Sequence, residues 1–263
     1  MMRVLLGAIL VLAAQPAWSL NGCTPASKDA DKCETGIANA VGKFVGAVFK
    51  CHAKQADGAF KQKPIDDEDC EATGAKSAKG KLDAAVLKLA AECPAGVVDN
   101  AAALEAALVS GPTSLDVVNG QVYCESGMAI DPTGDDAGSI PSSADALKCA
   151  DSVGKNAAKL WSAIAKCSSK KADADFKQKT FDEDSCRRAA TDKYDAATTK
   201  LLSKEGCPSC LDATGQGALR DALLSQLGNV DQQLFVCSGI TTTTTTVGPT
   251  TTTSTTTTIP GGR

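Results

Sequence analysis

The sequence predicts an all-α fold of two tandem, disulfide-stapled helical-hairpin domains with about three helices each, followed by a disordered Thr-rich tail. Three observations predict it: an internal repeat, apolar residues at helical spacing in both copies, and 12 Cys in 263 residues. Aromatic residues make up only 4 % of the chain, so each copy offers little apolar surface for a core. Small secreted domains compensate for such cores with disulfides.

The N-terminus has the layout of a secretory signal peptide. A basic start at Arg3 precedes an apolar run over residues 4–14, and Ala17 and Ser19 are the small residues expected before a cut at Leu20. No later run is long and apolar enough for a membrane helix, which needs about 20 residues. We therefore expect a secreted, extracellular protein, in the periplasm or at the cell surface if the source is bacterial. An alternative is a lipoprotein modified at Cys23, because residues 20–23 resemble a bacterial lipobox.

An internal repeat divides the chain. The segment Cys33–Cys70 returns as Cys149–Cys186 after 116 residues without a gap, and both copies contain AD-x-x-FKQK. Each copy has the size of a single domain, and two copies are too few for a solenoid, so we expect tandem beads. The predicted organisation is a signal peptide at 1–19, domain 1 at 20–128, a Pro/Gly/Ser-rich linker at 129–142, domain 2 at 143–239 and a disordered Thr-rich stalk at 240–263.

Each copy begins with a long amphipathic helix. In both copies its apolar residues have the offsets 0, 4, 7, 8 and 11, which correspond to a period of 3.6 residues. Ser27 and Ser143 precede the two helices and are the expected N-caps. The stripe consists of Ile37, Val41, Phe44, Val45 and Val48 in the first copy and of Val153, Ala157, Leu160, Trp161 and Ile164 in the second.

Two further helices are expected in each copy. The second begins at the acidic clusters 66–69 and 182–184, because carboxylates favour a helix N-terminus, and it runs towards Cys93 or Cys207. A shorter third helix covers about 100–109 or 218–227. The closing segments around 122–123 and 234–235 are interpreted as extended.

The cysteines fit a helical hairpin. Cys33 and Cys51 lie 18 residues apart on one helix, about 27 Å, and cannot bridge each other. Folding the second helix back on the first gives each a partner in the second helix, and the second copy repeats the arrangement. Four cysteines remain. The simplest assignment joins Cys237 of the second closing segment to Cys210 of the same copy, and Cys124 of the first closing segment to Cys23. The predicted bonds are Cys33–Cys93, Cys51–Cys70, Cys149–Cys207, Cys167–Cys186, Cys210–Cys237 and Cys23–Cys124.

Candidate chemical sites are few. The formal charge of −4, with mixed signs, argues against nucleic-acid binding, and a single His excludes two-histidine zinc motifs. His52 stands beside Cys51, but the second copy has Ser168 there, so a shared function does not depend on the imidazole. The C-x-x-C pair Cys207 and Cys210 follows a helix instead of opening one, and we interpret it as structural.

Calcium binding by acidic residues is a second alternative. The runs before Cys70 and Cys186, and the linker residues 131–136, offer the oxygen ligands that Ca²⁺ prefers. Helix-start electrostatics and a linker turn explain these charges without a metal. We expect no catalytic residue, no cofactor and no metal ligand.

These observations favour a non-enzymatic extracellular or cell-surface module with a structural or binding role. Its expected partner is an extracellular protein, a glycan or an envelope component. Alternatives are a carrier of a lipid or other apolar ligand, and a cysteine-based metal-binding or thiol-redox protein. The shared inter-helix turns are the candidate recognition loops, with a packed Phe as the alternative interpretation. They consist of Phe60, Lys61 and Lys63 in the first copy and of Phe176, Lys177 and Lys179 in the second.

Overall fold

The protein is all-α over the residues that the structure describes. The structure, a computed structural model, describes residues 24–63, 65–94, 96–132, 134–204 and 206–235. The predicted signal peptide, Cys23, Cys237 and the Thr-rich tail lie outside these residues. No helix within the described ranges combines the length and apolar character needed to cross a membrane. The α-helices are α1 (Lys28–Phe60), α2 (Glu68–Glu71), α3 (Ala78–Leu89), α4 (Val97–Val109), α5 (Leu115–Val122), α6 (Ala144–Phe176), α7 (Glu183–Leu202) and α8 (Ala213–Leu234).

The two long helices begin and pack as the sequence predicts. The Ser27 and Ser143 side chains accept hydrogen bonds from the backbone N–H groups of Ala30 and Ala146, which confirms both N-caps. All members of the predicted apolar stripes are buried. The 3.6-residue period therefore identified the buried face of α1 and of α6 correctly.

The second helix of the first copy is not continuous, and this prediction was wrong. It is divided into the four-residue α2, then α3, and then a 3₁₀ turn at Ala90–Glu92. Gly74 has a left-handed φ of 83°, and Ser77 caps α3 by accepting from the N–H of Gly80. These residues end one helix and begin another. The second copy lacks these breaks in α7, which begins at Glu183 after the N-cap Asp182, as predicted.

The closing segments are helical, not extended, which corrects a second prediction. Val122 ends α5, and Leu234 ends α8, which is longer than the predicted third helix. In the first copy, α4 and α5 together correspond to α8, and Gly111, with a φ of 139°, lies in the break between them. The apolar residues of these segments recur every three or four positions, which is a helical spacing. The prediction considered only two residues of each segment, too few to reveal this period.

The helices α1 and α6 pack against each other in antiparallel orientation. Ser162 donates to the carbonyl oxygen of Gly42, whereas a Cβ placed on Gly154 would contact Phe49, so the contacts run in opposite directions along the two helices. One buried apolar cluster contains residues of both copies. An arrangement as two separate domains is therefore not confirmed.

The inter-copy linker folds onto the first copy. Its Ile130 is buried, and Ala137 and Ser139 donate backbone hydrogen bonds to the carbonyl oxygens of Asp116 and Tyr123. An isolated antiparallel bridge joins Ala129 to Ser139. The linker thus closes over one end of the first copy instead of spanning open solvent.

Disulfides join the helices within and between the copies. The four hairpin bonds match the predicted pairs, namely Cys33–Cys93, Cys51–Cys70, Cys149–Cys207 and Cys167–Cys186. The fifth bond joins Cys124 to Cys210, which corrects the predicted Cys23–Cys124 and Cys210–Cys237 pairs. That prediction assumed that each copy folds by itself. In the structure α5 packs against α6 and α8, and this places Cys124 beside the second copy.

Candidate functional site

A cluster of buried ionisable side chains lies at one end of the first copy. His52 lies in α1, Asp67 lies directly before α2, and Glu71 is the last residue of α2. Asp116 lies in α5 and Asp136 in the linker. The exposed fractions of these five residues are 1 %, 6 %, 5 %, 5 % and 6 % in that order. Charged groups are rarely buried so completely unless a counter-charge compensates them.

Three carboxylate groups converge on one nitrogen atom of His52. Its Nε2 lies 3.1 Å from an Oε1 of Glu71, 3.1 Å from an Oδ1 of Asp136 and 3.5 Å from an Oδ1 of Asp116. An imidazole nitrogen carries at most one proton, so it can donate to only one of these oxygens. Within the described residues, neither ring nitrogen and none of these three oxygen atoms has a partner in hydrogen-bond geometry.

Asp67 lies behind this group and is hydrogen-bonded. The Nε2 of Gln55 donates to its Oδ1 at 2.7 Å. Burial raises the pKa of Asp67, and the neighbouring Asp136 raises it further. Burial tends to raise the pKa of the Asp136 carboxyl, but the neighbouring His52 and Asp67 lower it below its usual value.

The remaining pKa values reflect burial opposed by mutual attraction. Burial lowers the pKa of His52, but Asp116, Asp136 and Glu71 together raise it well above its usual value. Burial raises the pKa of Glu71 to about 7, although His52 lowers it in part. Burial also raises the pKa of Asp116. Excess negative charge in a buried site has this effect, because each carboxylate there lacks water and faces other carboxylates.

The second copy has a polar cluster at the corresponding place, and there the charges are compensated. Residues 168, 183 and 187 follow their first-copy counterparts 52, 67 and 71 by 116 positions. The Nη1 of Arg187 lies 3.0 Å from Glu183, 3.3 Å from Asp231 and 3.4 Å from Ser168. Ser168 also donates to Asp231 at 2.9 Å. A guanidinium thus occupies the position of Glu71.

The candidate recognition turns are alike in both copies. Lys61, Gln62 and Lys63 are exposed, as are their counterparts at residues 177–179, and Phe60 and Phe176 are half-buried. Gln62 and Gln178 have left-handed φ angles of 58° and 55°. Because α1 and α6 are antiparallel, 33-residue helices, these turns lie at opposite ends of a helix pair about 50 Å long.

Each turn is a Schellman C-cap. The N–H of Lys63 donates to the carbonyl of Gly58, and that of Gln62 donates to the carbonyl of Ala59; the second copy repeats both bonds. Glycine commonly occupies the left-handed position, since other residues pay about 1–2 kcal/mol there. Gln stands at this position in both copies. The packed Phe and the exposed Lys-Gln-Lys are therefore both present in the same turn.

The remaining candidate sites have structural partners. Cys207 and Cys210 bond to Cys149 and Cys124 instead of to each other, and no described cysteine is free. The thiol-based alternative gains no support from these residues. Two surface pockets have volumes of about 200 and 30 Å³, below the 300 Å³ and more that drug-sized ligands occupy.

The buried cluster of the first copy was missed from the sequence. His52 was dismissed because the second copy has Ser168, and Asp67 and Asp136 were assigned to a helix start and a linker turn. One signal was available. The aligned pair Glu71 and Arg187 reverses the charge at the position following a shared cysteine.

Donor atoms of this cluster are close enough to share one cation. The structure contains three such sets, each with its ligand atoms within 4.8 Å of one another: His52, Asp116 and Asp136; His52, Asp67 and Glu71; and Asp67, Asp131 and Asp136. Comparison with protein families, curated proteins and solved structures gives no match to the chain. The functional assignment therefore depends on the geometry of the chain itself.

Proposed function

We propose that the protein is a secreted, non-enzymatic module that acts in an extracellular or cell-surface layer, presenting two copies of one turn to a partner. The observation that carries this is the repetition of the exposed Lys-Gln-Lys turn at opposite ends of α1 and α6. Two equivalent turns about 50 Å apart suit a bridging or bivalent contact. The partner is an extracellular protein, a glycan or an envelope component.

Rigidity supports this role. The Cys33–Cys93 and Cys149–Cys207 bonds tie the starts of α1 and α6 to neighbouring segments, and Cys51–Cys70 and Cys167–Cys186 tie their later halves. A fixed spacing between two binding turns reduces the entropy lost when both engage. Disulfides of this density are also typical of proteins in oxidising compartments.

Backbone strain supports the turns as the contact points. A Gln in the left-handed region in both copies costs about 1–2 kcal/mol per turn relative to a relaxed residue. Glycine would relieve that strain without disturbing the Schellman bonds. Strain retained twice at an exposed position is consistent with a role for the Gln side chain in contact with a partner.

The test is co-sedimentation of the full-length secreted chain with the envelope fraction of the cells that produce it. We expect the turn variant Lys61→Ala/Lys63→Ala/Lys177→Ala/Lys179→Ala to lose sedimentation. Removing the lysines of one turn only should leave a weaker, monovalent interaction, because avidity from a second site adds roughly 10²–10⁴-fold.

A matched control removes four exposed lysines from the middle of the long helices. The variant Lys43→Ala/Lys50→Ala/Lys159→Ala/Lys166→Ala makes the same change in charge away from the turns. It should sediment like the unaltered chain. Equal loss in both four-lysine variants, or no sedimentation of the unaltered chain, would show that the turns do not carry the interaction.

A further inference from the structure

We propose that His52, Asp116 and Asp136 form a binding site for one divalent transition-metal ion of the zinc or manganese class, with the carboxylate of Glu71 beside it. The ion would act as a structural cross-link in the first copy. This site is independent of the Lys-Gln-Lys turns, so either proposal can fail without the other.

The spacing of the donor atoms is that of a coordination shell. Zinc binds imidazole nitrogen and carboxylate oxygen at about 2.0–2.2 Å, so ligand atoms around a tetrahedral ion stand about 3.4 Å apart. In the structure, the Nε2 of His52 lies 3.1 Å from an Oδ1 of Asp136 and 3.5 Å from an Oδ1 of Asp116, and the ligand atoms of these three residues lie within 4.8 Å of one another. One proton on that nitrogen cannot serve both acceptors, whereas one cation between the three atoms binds all of them.

The atoms that would bind the ion have no other hydrogen-bond partner among the described residues. They are the Nε2 of His52 and an Oδ1 from each of Asp116 and Asp136, and the neighbouring Oε1 of Glu71 is also unpaired. All four side chains are more than nine-tenths buried. Buried polar atoms in native proteins are paired in the great majority of cases, so a convergent group of unpaired ones indicates a bound ligand.

In the second copy, a positively charged side chain compensates the corresponding polar cluster. There, the Nη1 of Arg187 is held between Glu183 and Asp231, and the cluster is satisfied by a cation belonging to the chain. The first copy has Glu71 in place of Arg187, which removes one positive charge and adds one negative charge. The first-copy cluster therefore has more uncompensated negative charge than the second, which favours a bound cation.

The donor set favours a transition metal over calcium or magnesium. Calcium and magnesium prefer oxygen ligands only, while imidazole suits zinc and its neighbours in the first transition series. Three buried ligands from the protein fix the ion within the fold and leave one position for a water molecule around a tetrahedral ion. Behind this set, the Nε2 of Gln55 donates to Asp67, which fixes the position of one further buried carboxylate.

Such an ion would connect three segments of the first copy. His52 belongs to α1, Asp116 to α5 and Asp136 to the linker. The Cys51–Cys70 disulfide already joins α2 to α1. A metal would add a second cross-link, which holds α5 and the linker onto α1.

The experiment uses the full secreted chain, stripped of metal with a chelator and dialysed. Calorimetric titration with Zn²⁺ and with Mn²⁺ is expected to show one equivalent bound, with Ca²⁺ and Mg²⁺ much weaker. Urea unfolding at a free ion concentration 100 times Kd should show a folding equilibrium constant raised about 100-fold. Co²⁺ in place of Zn²⁺ should give the visible absorption of a tetrahedral site.

Variants separate this site from others on the chain. His52→Ser with Glu71→Arg installs the residues of the second copy, and this variant is expected to remain folded without metal and to lose the binding. If it fails to fold, Asp136→Asn is expected to fold and to weaken binding at least tenfold. The control Asp66→Asn/Asp135→Asn removes two exposed neighbouring acids and should bind like the unaltered chain.

Each outcome decides the matter. The site is supported if the unaltered chain and the control each bind one equivalent of Zn²⁺ or Mn²⁺, and if this binding is lost in the His52 and Glu71 variant or weakened in the Asp136 variant. Absence of binding, or binding that persists in these variants, overturns it. Binding of Ca²⁺ in preference to Zn²⁺ and Mn²⁺ overturns the choice of metal class, because imidazole would then not be a ligand.

Discussion

The Cys124–Cys210 disulfide is expected to contribute substantially to stability, because it is the described bond that joins the two copies. Its cysteines are 86 residues apart in sequence. The perturbation is Cys124→Ser with Cys210→Ser, which removes the bond without leaving either thiol unpaired. We expect the double variant to fold with its remaining disulfides and to be less stable.

The magnitude follows from the loop that the bond closes. A loop of 86 residues by itself would give about 4.5 kcal/mol in the chain-entropy treatment. However, Cys149–Cys207 already connects the chain inside that loop. The shorter path runs from Cys124 to Cys149 and then from Cys207 to Cys210, about 30 residues, which gives about 3.5 kcal/mol.

The assay is urea unfolding under non-reducing conditions, followed by the fluorescence of Trp161, which is fully buried. The midpoint should fall and the slope should rise, because the unfolded chain without this cross-link exposes more surface. Peptide mapping without reduction provides the companion measurement. It should recover a peptide pair containing Cys124 and Cys210.

Two results would refute this reasoning. Recovery of Cys124 joined to Cys23, or of Cys210 joined to Cys237, would show that each copy closes on itself. A loss of stability below about 1 kcal/mol in the double variant would show that the bond constrains the unfolded chain far less than its loop requires.

Three further predictions test the core and its charges. Burial raises the pKa of Glu34 to about 7, so the folded chain holds this proton longer than the unfolded one and stability falls as pH rises from about 4.5 to 7. Glu34→Gln should therefore be more stable than the unaltered chain at pH 8, by up to about 3 kcal/mol, and equally stable at pH 4. The same difference in stability at pH 4 and at pH 8 would contradict this. Gly80→Ala should destabilise, because its Cβ would lie 2.3 Å from a backbone oxygen, whereas Gly46→Ala meets nothing within 4 Å and should stabilise α1 by about 1 kcal/mol in thermal unfolding. Arg187→Met should cost about 3 kcal/mol in urea unfolding, because it leaves the buried Asp231 and the partly buried Glu183 without a cation. A neutral result would show that these carboxylates are compensated otherwise.

Features that depend on neighbouring residues were predictable from the sequence. The apolar period identified the buried faces of α1 and α6, and Ser27 and Ser143 marked their first turns. These features follow from backbone geometry over a few consecutive residues. The hairpin disulfides also followed, because a helix of known rise leaves each cysteine with one reachable partner.

Errors arose where local signals competed. Gly74 and Ser77 divide the second helix of the first copy, although the acidic start and the following apolar residues favoured one continuous helix. Val122 and Leu234 were judged in too short a window, and their helical period extends over a longer segment. In each case the competing signal was present in the sequence but was given too little weight.

Only the tertiary structure brought the buried cluster together. His52, Glu71, Asp116 and Asp136 come from four segments, and each has an ordinary local interpretation when considered alone. The same holds for Cys124 and Cys210, which meet because α5 of one copy packs against the helices of the other. Periodicity and capping were determined by the sequence because consecutive residues share one backbone geometry. The meeting of distant charges and thiols was decided by how α5 and the linker pack against the long helices, since no local pattern encodes which buried side chains share the same space.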